Sequence, residues 1–178
     1  DAVDRVRIQY GTSFLYPVSA VGSHVSAVPN HQTGRVTSLH TRGVVAMAGT
    51  FGYELDPGKL SDREKEEVRE QVARYKGYAE LIQQGDYYRL SDPFRDVCGA
   101  WMFVSQDRTK ALVNVVMLEI HGNMPVSYVR LKGLKPDALY EDAQSHRRYF
   151  GAALMNAGIP MPIRMEEYMA YQMELNEV

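Results

Sequence analysis

The chain has 178 residues, of which 45% are hydrophobic, and its formal net charge is −2 with a pI near 6.2. That length and apolar fraction suffice for one buried core or two small ones. Lys and Arg form no runs, which argues against nucleic acid or an anionic membrane surface as a partner. No apolar run approaches the roughly 20 residues that span a bilayer. The single cysteine, Cys98, favours a reducing compartment, and we expect a cytoplasmic protein.

The chain opens directly on a helical pattern. Four apolar residues recur at helical spacing: Val3, Val6, Tyr10 and Phe14. They predict an amphipathic helix that ends near Ser13. Because no Met and no polar lead-in precede this helix, we expect the chain to be part of a longer protein.

Strands and helices are predicted to alternate over the next seventy residues. The β-branched and small residues of 18–26 predict a strand buried on both faces, as in a parallel sheet. A small-residue helix over 38–50 and a short strand over 51–55 follow. Ser61 and Glu64 form a capping box at the start of the clearest helix. The order helix, strand, helix, strand, helix is typical of a parallel α/β fold.

The pattern changes to strands and turns near residue 85. Predicted strands cover 100–104, 110–120, 126–131 and 168–175, and the first two form a hairpin with its turn at 105–109. These strands predict an antiparallel sandwich or barrel. We therefore place a domain boundary between an α/β part, residues 1–84, and an all-β part, residues 85–178.

The segment 25–35 is the best candidate for a binding loop. It follows a predicted strand, and in a (β/α) barrel the functional face lies where strands run into such loops. Its Asn, His, Gln, Thr and Arg side chains can donate to and accept from sugar hydroxyls. The alternative is a loop whose polar groups bond only to backbone or water. His24, in the preceding strand, is interpreted as a hydrogen-bonded core histidine.

Other chemistry finds little support in the sequence. Glu54 and Asp56 end a predicted strand and are possible general acids or bases, but Asp56 also begins an ordinary Asp-Pro-Gly turn, which we favour. His24 and His31 have no acidic or thiolate companion at metal spacing, so we predict no metal and no cofactor. Trp101 and the tyrosines of the second part are interpreted as packing residues rather than as a sugar-stacking platform.

Two adjoining segments resemble one family closely. They are Arg7-Ile8-Gln9-Tyr10-Gly11-Thr12-Ser13-Phe14-Leu15-Tyr16-Pro17 and Gly22-Ser23-His24-Val25-Ser26-Ala27-Val28-Pro29-Asn30-His31-Gln32-Thr33-Gly34-Arg35. Both resemble the bacterial α-galactosidases of glycoside hydrolase family 36. Looser matches continue in 41–43, 52–56, 88–90, 131–134 and 154–160, so the resemblance covers nearly the whole chain.

The resemblance implies the C-terminal part of a (β/α)8 TIM barrel followed by an antiparallel β-sandwich. It also implies a retaining glycosidase that removes terminal α-galactose from melibiose, raffinose and related galacto-oligosaccharides. The partners it implies are the rest of the parent enzyme and further copies of the same chain, since the family typically forms tetramers.

The resemblance places both catalytic aspartates outside this sequence. The family's nucleophile lies in a Lys-Trp-Asp motif, which does not occur here. Its acid/base lies in a Ser-Asp-x-Thr-Asp-Ala pattern whose last two residues correspond to Asp1 and Ala2. We therefore assign no catalytic residue to the chain and expect it to be inactive alone. The resemblance leaves only the loop residues Asn30 and His31 as predicted substrate-binding residues. The alternative function is a non-catalytic carbohydrate-binding or oligomerisation module.

Overall fold

The computed structural model describes residues 1–161 and 166–178. The chain divides into two compact units, residues 1–83 and residues 84–178. None of the described helices is both long and apolar enough to cross a bilayer.

The first unit alternates helices with parallel strands. Its elements are α1 (Ala2–Thr12), β1 (Gly22–Ser26), α2 (Leu39–Ala46), β2 (Thr50–Glu54) and α3 (Asp62–Gln84). β1 and β2 pair in parallel, from Gly22 opposite Thr50 to Ser26 opposite Glu54. The predicted order of elements is confirmed, and α2 is the connection that parallel pairing requires.

The capping box predicted at the start of α3 is also present. The Ser61 N–H donates to Glu64 Oε2 over 2.8 Å, and the Glu64 N–H donates to Ser61 Oγ over 3.3 Å. The two bonds satisfy backbone donors that would otherwise lack partners at the helix start. The Ser61 hydroxyl also donates to Glu64 Oε2 over 2.7 Å, and this bond, together with that from the Ser61 N–H, holds the pKa of the Glu64 carboxyl below its usual value.

Burial corrects two details of the predicted elements. β1 is not buried on both faces: Ser23 and Val25 are buried, whereas His24 points to the open face of a two-stranded sheet. α1 buries Val3, Val6 and Gln9, so the buried stripe does not continue to Phe14, which is 59% exposed. Gln9 can be buried because its Nε2 donates to Ser23 Oγ over 2.7 Å and to the Val45 carbonyl over 3.1 Å.

The second unit is built on antiparallel strands. Its elements are β3 (Asp86–Arg89), β4 (Cys98–Val104), β5 (Lys110–Met117), β6 (Tyr128–Val129), β7 (Leu139–Asp142), β8 (Arg148–Phe150), α4 (Gly151–Asn156), β9 (Ile159–Pro160) and β10 (Ala170–Glu177). Six strands form one sheet in the order β3-β4-β5-β10-β7-β8, and β6 pairs with β9. The predicted hairpin of β4 and β5 and the predicted last strand are confirmed.

The core of this unit lies between the large sheet and a smaller second layer. Met102 and Val113 of the sheet pack with Leu131, Leu154 and Ile159, which lie near or within β6, α4 and β9. The strand predicted over 126–131 shortens to two residues because the chain continues as a loop on either side. β3, β7, β8 and α4 were not predicted, since each is too short to show a period.

The hairpin turn at 105–109 is held by one aspartate. Asp107 Oδ1 accepts hydrogen bonds from Ser105 Oγ over 2.6 Å, from the Thr109 N–H over 3.0 Å and from Thr109 Oγ1 over 2.8 Å. These bonds, led by that from Ser105, lower the pKa of Asp107 to about 2. The turn residues therefore fix the register that pairs Val104 with Ala111.

Gly158 is a position where the fold requires glycine. Its φ is +85°, and a Cβ there would lie 2.6 Å from the Val129 carbonyl oxygen. We expect Gly158→Ala to lower the free energy of unfolding by more than about 1 kcal/mol, because strain and a close contact add. The matched control is Gly122→Ala, where a Cβ meets nothing within 4 Å. Urea unfolding measures both, and equal stability of the two variants would contradict the prediction.

Candidate functional site

The carboxyl ends of β1 and β2 lie at one edge of the parallel sheet. Ser26 and Glu54, the last residues of the two strands, are partners in the pairing. The loop 27–38 leaves β1 at this edge and leads into α2, and α3 begins shortly after β2. The N-terminus of α1 is brought to the same edge through contacts between Asp1 and the loop. In parallel sheets this edge is where ligands bind.

A small polar cleft opens at this edge. Its lining includes Asp1, Arg5, His24, Asn30, Arg35 and Arg42. The cleft has a volume of about 30 Å³, whereas sites that enclose small organic ligands measure roughly 300 Å³ or more. The described residues therefore form a small open cleft rather than a complete pocket for an organic ligand.

Asn30 organises the loop that follows β1. Its Oδ1 accepts from the backbone N–H groups of Gln32 and Thr33, each over 3.0 Å. Its own N–H donates to the Arg35 carbonyl over 2.9 Å. The structure thus places Asn30 in the lining of the cleft, whereas His31 is exposed and lies outside that lining. The acceptor oxygen of Asn30 is committed to the loop itself.

Asp1 joins this loop to the start of α1. Its Oδ1 caps the helix by accepting from the Val3 N–H over 2.8 Å. The same oxygen lies 2.6 Å from Arg35 Nη1, and Oδ2 accepts from Thr33 Oγ1 over 2.7 Å. Sequence reasoning named Asp1 only as part of the family's acid/base pattern and not as a helix cap, although an aspartate directly before a helical pattern is a common N-cap.

Arg42 supports the cleft from α2. The residue is buried, at 7% exposure, and Nη1 donates to the Ser26 carbonyl over 2.7 Å. Burial lowers the pKa of Arg42, and the nearby carboxylates Glu64 and Glu67 oppose that shift. Sequence reasoning assigned Arg42 no role, since it lies among small apolar residues whose pattern indicates only a packed helix.

His24 is not the core histidine that was expected. Its side chain is exposed and its Nδ1 lies 4.0 Å from Glu54 Oε2 across the two strands. The reason is that β1 and β2 have helices against one face only, so alternate residues face outward. Asp56 accepts from the Gly58 N–H over 2.9 Å and caps a short turn, as the turn interpretation requires.

Trp101 and Cys98 are buried packing residues. Trp101 is 4% exposed and lies within β4, where it cannot offer a ring face to a sugar in solvent. Cys98 is buried, and burial raises the pKa of its thiol. Within residues 1–161 and 166–178, no three His, Cys, Asp or Glu side chains are grouped as a metal site.

Two family models match the chain. The Melibiase model matches residues 1–85, and the model of the glycosyl hydrolase family 36 C-terminal domain matches residues 99–175. The bifunctional α-galactosidase/sucrose kinase AgaSK of Mediterraneibacter gnavus is 64% identical over 100% of this chain and 19% of that protein. The α-galactosidase AgaA of Geobacillus stearothermophilus is 51% identical over 100% of this chain and 24% of that protein.

Solved structures give the same match. The galactosidase domain of AgaSK has a TM-score of 0.97 at 64% identity. A doubly substituted form of Geobacillus stearothermophilus AgaA, in complex with raffinose, has a TM-score of 0.96 at 50% identity. In both comparisons the match covers 100% of this chain and 25% of the other. The chain thus spans about a fifth to a quarter of the length of these relatives.

Tyr53 links β2 to α3 through a hydrogen bond, and its ionisation links stability to pH. Its hydroxyl donates to Oε1 of the buried Gln71 over 2.8 Å. Burial, with a smaller contribution from Glu67, raises the pKa of Tyr53 from 10.0 to about 12. The folded chain therefore keeps this proton at pH values where the unfolded chain has lost it. The resulting stabilisation is complete below pH 10 and is lost as the pH approaches about 12.

We expect the stability advantage of the wild-type chain over Tyr53→Phe to shrink between these two pH values. Urea unfolding of both chains on either side of pH 10 measures it. Tyr16→Phe is the control, because Tyr16 is 60% exposed. Its difference from wild type should stay constant, and an equally constant difference for Tyr53→Phe would contradict the assignment.

Proposed function

The chain belongs to glycoside hydrolase family 36, and on that basis we propose that it is the C-terminal part of a retaining α-galactosidase. The proposed substrates are terminal α-galactosides of the melibiose and raffinose type. The observation that carries the proposal is the match to AgaSK, which extends over 100% of this chain at 64% identity. The AgaA structure that contains raffinose, at 50% identity, supports the substrate class.

We propose that the first unit completes a (β/α)8 barrel. Its parallel strands, joined through α2, have the repeating unit of that fold. Parallel sheets are normally covered on both faces, yet His24 and Glu54 are exposed on one face of this pair. Further strands of the same barrel would cover that face and place the cleft on the catalytic side.

The proposed chemistry is a double displacement by two aspartates from the preceding part of the enzyme. One carboxylate attacks the anomeric carbon, and the other first protonates the leaving oxygen and then deprotonates water. Among the described residues, Asp1 is the one carboxylate that lines the cleft. Its oxygens are already bonded to Thr33, Arg35 and the start of α1, so its role is structural.

The role proposed for this chain is to hold the wall of the site that meets the sugar. Asn30 and His31, on the loop after β1, would bond galactosyl hydroxyls. The loop is suited to this because its internal hydrogen bonds fix it before a ligand arrives.

The enzyme is proposed to be cytoplasmic, in keeping with the free thiol of Cys98, and to assemble as a tetramer.

Activity of the complete enzyme and of the chain alone tests the proposal. We expect the complete enzyme to release nitrophenol from p-nitrophenyl α-galactoside and galactose from raffinose. The chain alone should release neither, because it lacks the pair of carboxylates. Circular dichroism verifies that the isolated chain is folded. Nitrophenol release by the chain alone, or none by the complete enzyme, would contradict the proposal.

Substitutions in the complete enzyme test the two sugar-binding residues. His31→Ala should raise KM by about two- to tenfold, as expected for the loss of one hydrogen bond. Asn30→Asp keeps the acceptor oxygen that orders the loop and removes the amide donor, so it should raise KM similarly. Gln32→Ala is the control, since only the main-chain N–H of Gln32 is bonded to Asn30. If KM stays at the control's value in both variants, the loop does not contact the sugar.

A further inference from the structure

Arg42 is a charged residue at a buried position of α2. α2 buries every one of its residues except His40, and Arg42 itself is 7% exposed. Enclosing a guanidinium costs free energy that its partners must offset. A small apolar residue would suit the packing of this helix better. The contacts of the guanidinium therefore indicate what the residue does.

The guanidinium bonds to the exact point where β1 becomes the loop. Arg42 Nη1 donates to the carbonyl of Ser26, the last residue of β1, over 2.7 Å. Glu64 and Glu67 of α3 favour the charged form of Arg42 from the other side. Among the described residues, the buried Nε of Arg42 has no hydrogen-bond partner. The bond to Ser26 is thus the main direct restraint that the side chain provides.

The loop is anchored at two points. Arg42 holds its beginning at Ser26, and the pairing of Arg35 with Asp1 holds its far side against α1. Asn30 lies between these anchors and orders the turn from within. Arg42, Arg35, Asp1 and Asn30 all line the same cleft. Release of the first anchor would let the strand end and the loop shift together, while the turn around Asn30 stayed intact.

We propose that Arg42 is a positioning residue for substrate binding, which fixes the start of the loop so that Asn30 is presented to the galactosyl group. This inference rests on the proposed function, because it assumes that the loop meets the sugar. Arg42 acts through the Ser26 main chain and contacts no substrate atom. Small displacements of a binding wall weaken substrate binding strongly, so one main-chain hydrogen bond can govern KM.

The test uses the complete enzyme with Arg42→Met and Arg42→Lys. Methionine fills similar space without a donor and should raise KM for raffinose about tenfold, with a smaller change in kcat. Lysine supplies the single donor that Ser26 uses and should keep KM within about threefold of wild type. Arg74→Met, on the exposed side of α3, is the control. If Arg42→Met does not fold, Arg42→Gln replaces it, since its shorter side chain also loses the bond.

Hydrogen exchange gives a second measure that does not depend on activity. Amides of residues 27–38 should exchange faster in Arg42→Met than in wild type, while those of α3 stay unchanged. An unchanged KM in the folded variant, a lysine variant as impaired as the methionine variant, or unchanged exchange in the loop would each overturn the inference. An inactive wild-type enzyme would refute the proposed function instead, and the exchange result would still report on the anchor.

Discussion

Parallel pairing of β1 with β2 is the constraint on which the candidate site depends. Two parallel strands cannot be joined by a tight turn, so the chain must leave β1, cross over through α2 and return to start β2. Both strands then end at the same edge, and the loop that starts there lies beside the N-terminus of α1. The position of the cleft and of the loop around Asn30 follows from that one geometry.

Charge at this edge is compensated locally. Asp1 satisfies the start of α1 and pairs with Arg35, so one carboxylate stabilises a helix end and restrains a loop. Arg42 is enclosed, yet it has the Ser26 carbonyl on one side and the carboxylates of α3 nearby. Such groups are stable in place only when all their partners are present. These contacts restrain the wall of the cleft in the absence of a ligand, and such restraint lowers the entropic cost of binding one.

In the second unit, the order of strands in the large sheet differs from their order along the chain. β10 lies between β5 and β7, so the last strand of the chain occupies the interior of the sheet. Its residues Met173 and Leu175 belong to the same core as Met102 and Val113. The sheet is therefore complete only when β10 has paired with both β5 and β7. Such long-range pairing makes folding of this unit dependent on its final residues.

The strongly periodic elements and the family resemblance were both readable from the sequence alone. The capping box at Ser61, the alternation up to α3 and the hairpin of β4 and β5 depend on local spacing, which neighbouring residues alone express. The family came instead from the likeness of the run from Arg7 to Arg35 to known sequences. Only the tertiary structure showed that His24 is exposed, that short strands such as β6 and β9 pair, and which contacts Asp1 and Arg42 make. Those features arise from contacts between residues far apart in the chain. Whether a polar side chain is buried, exposed or hydrogen-bonded depends on which element packs against it. Local spacing in the sequence does not predict that packing.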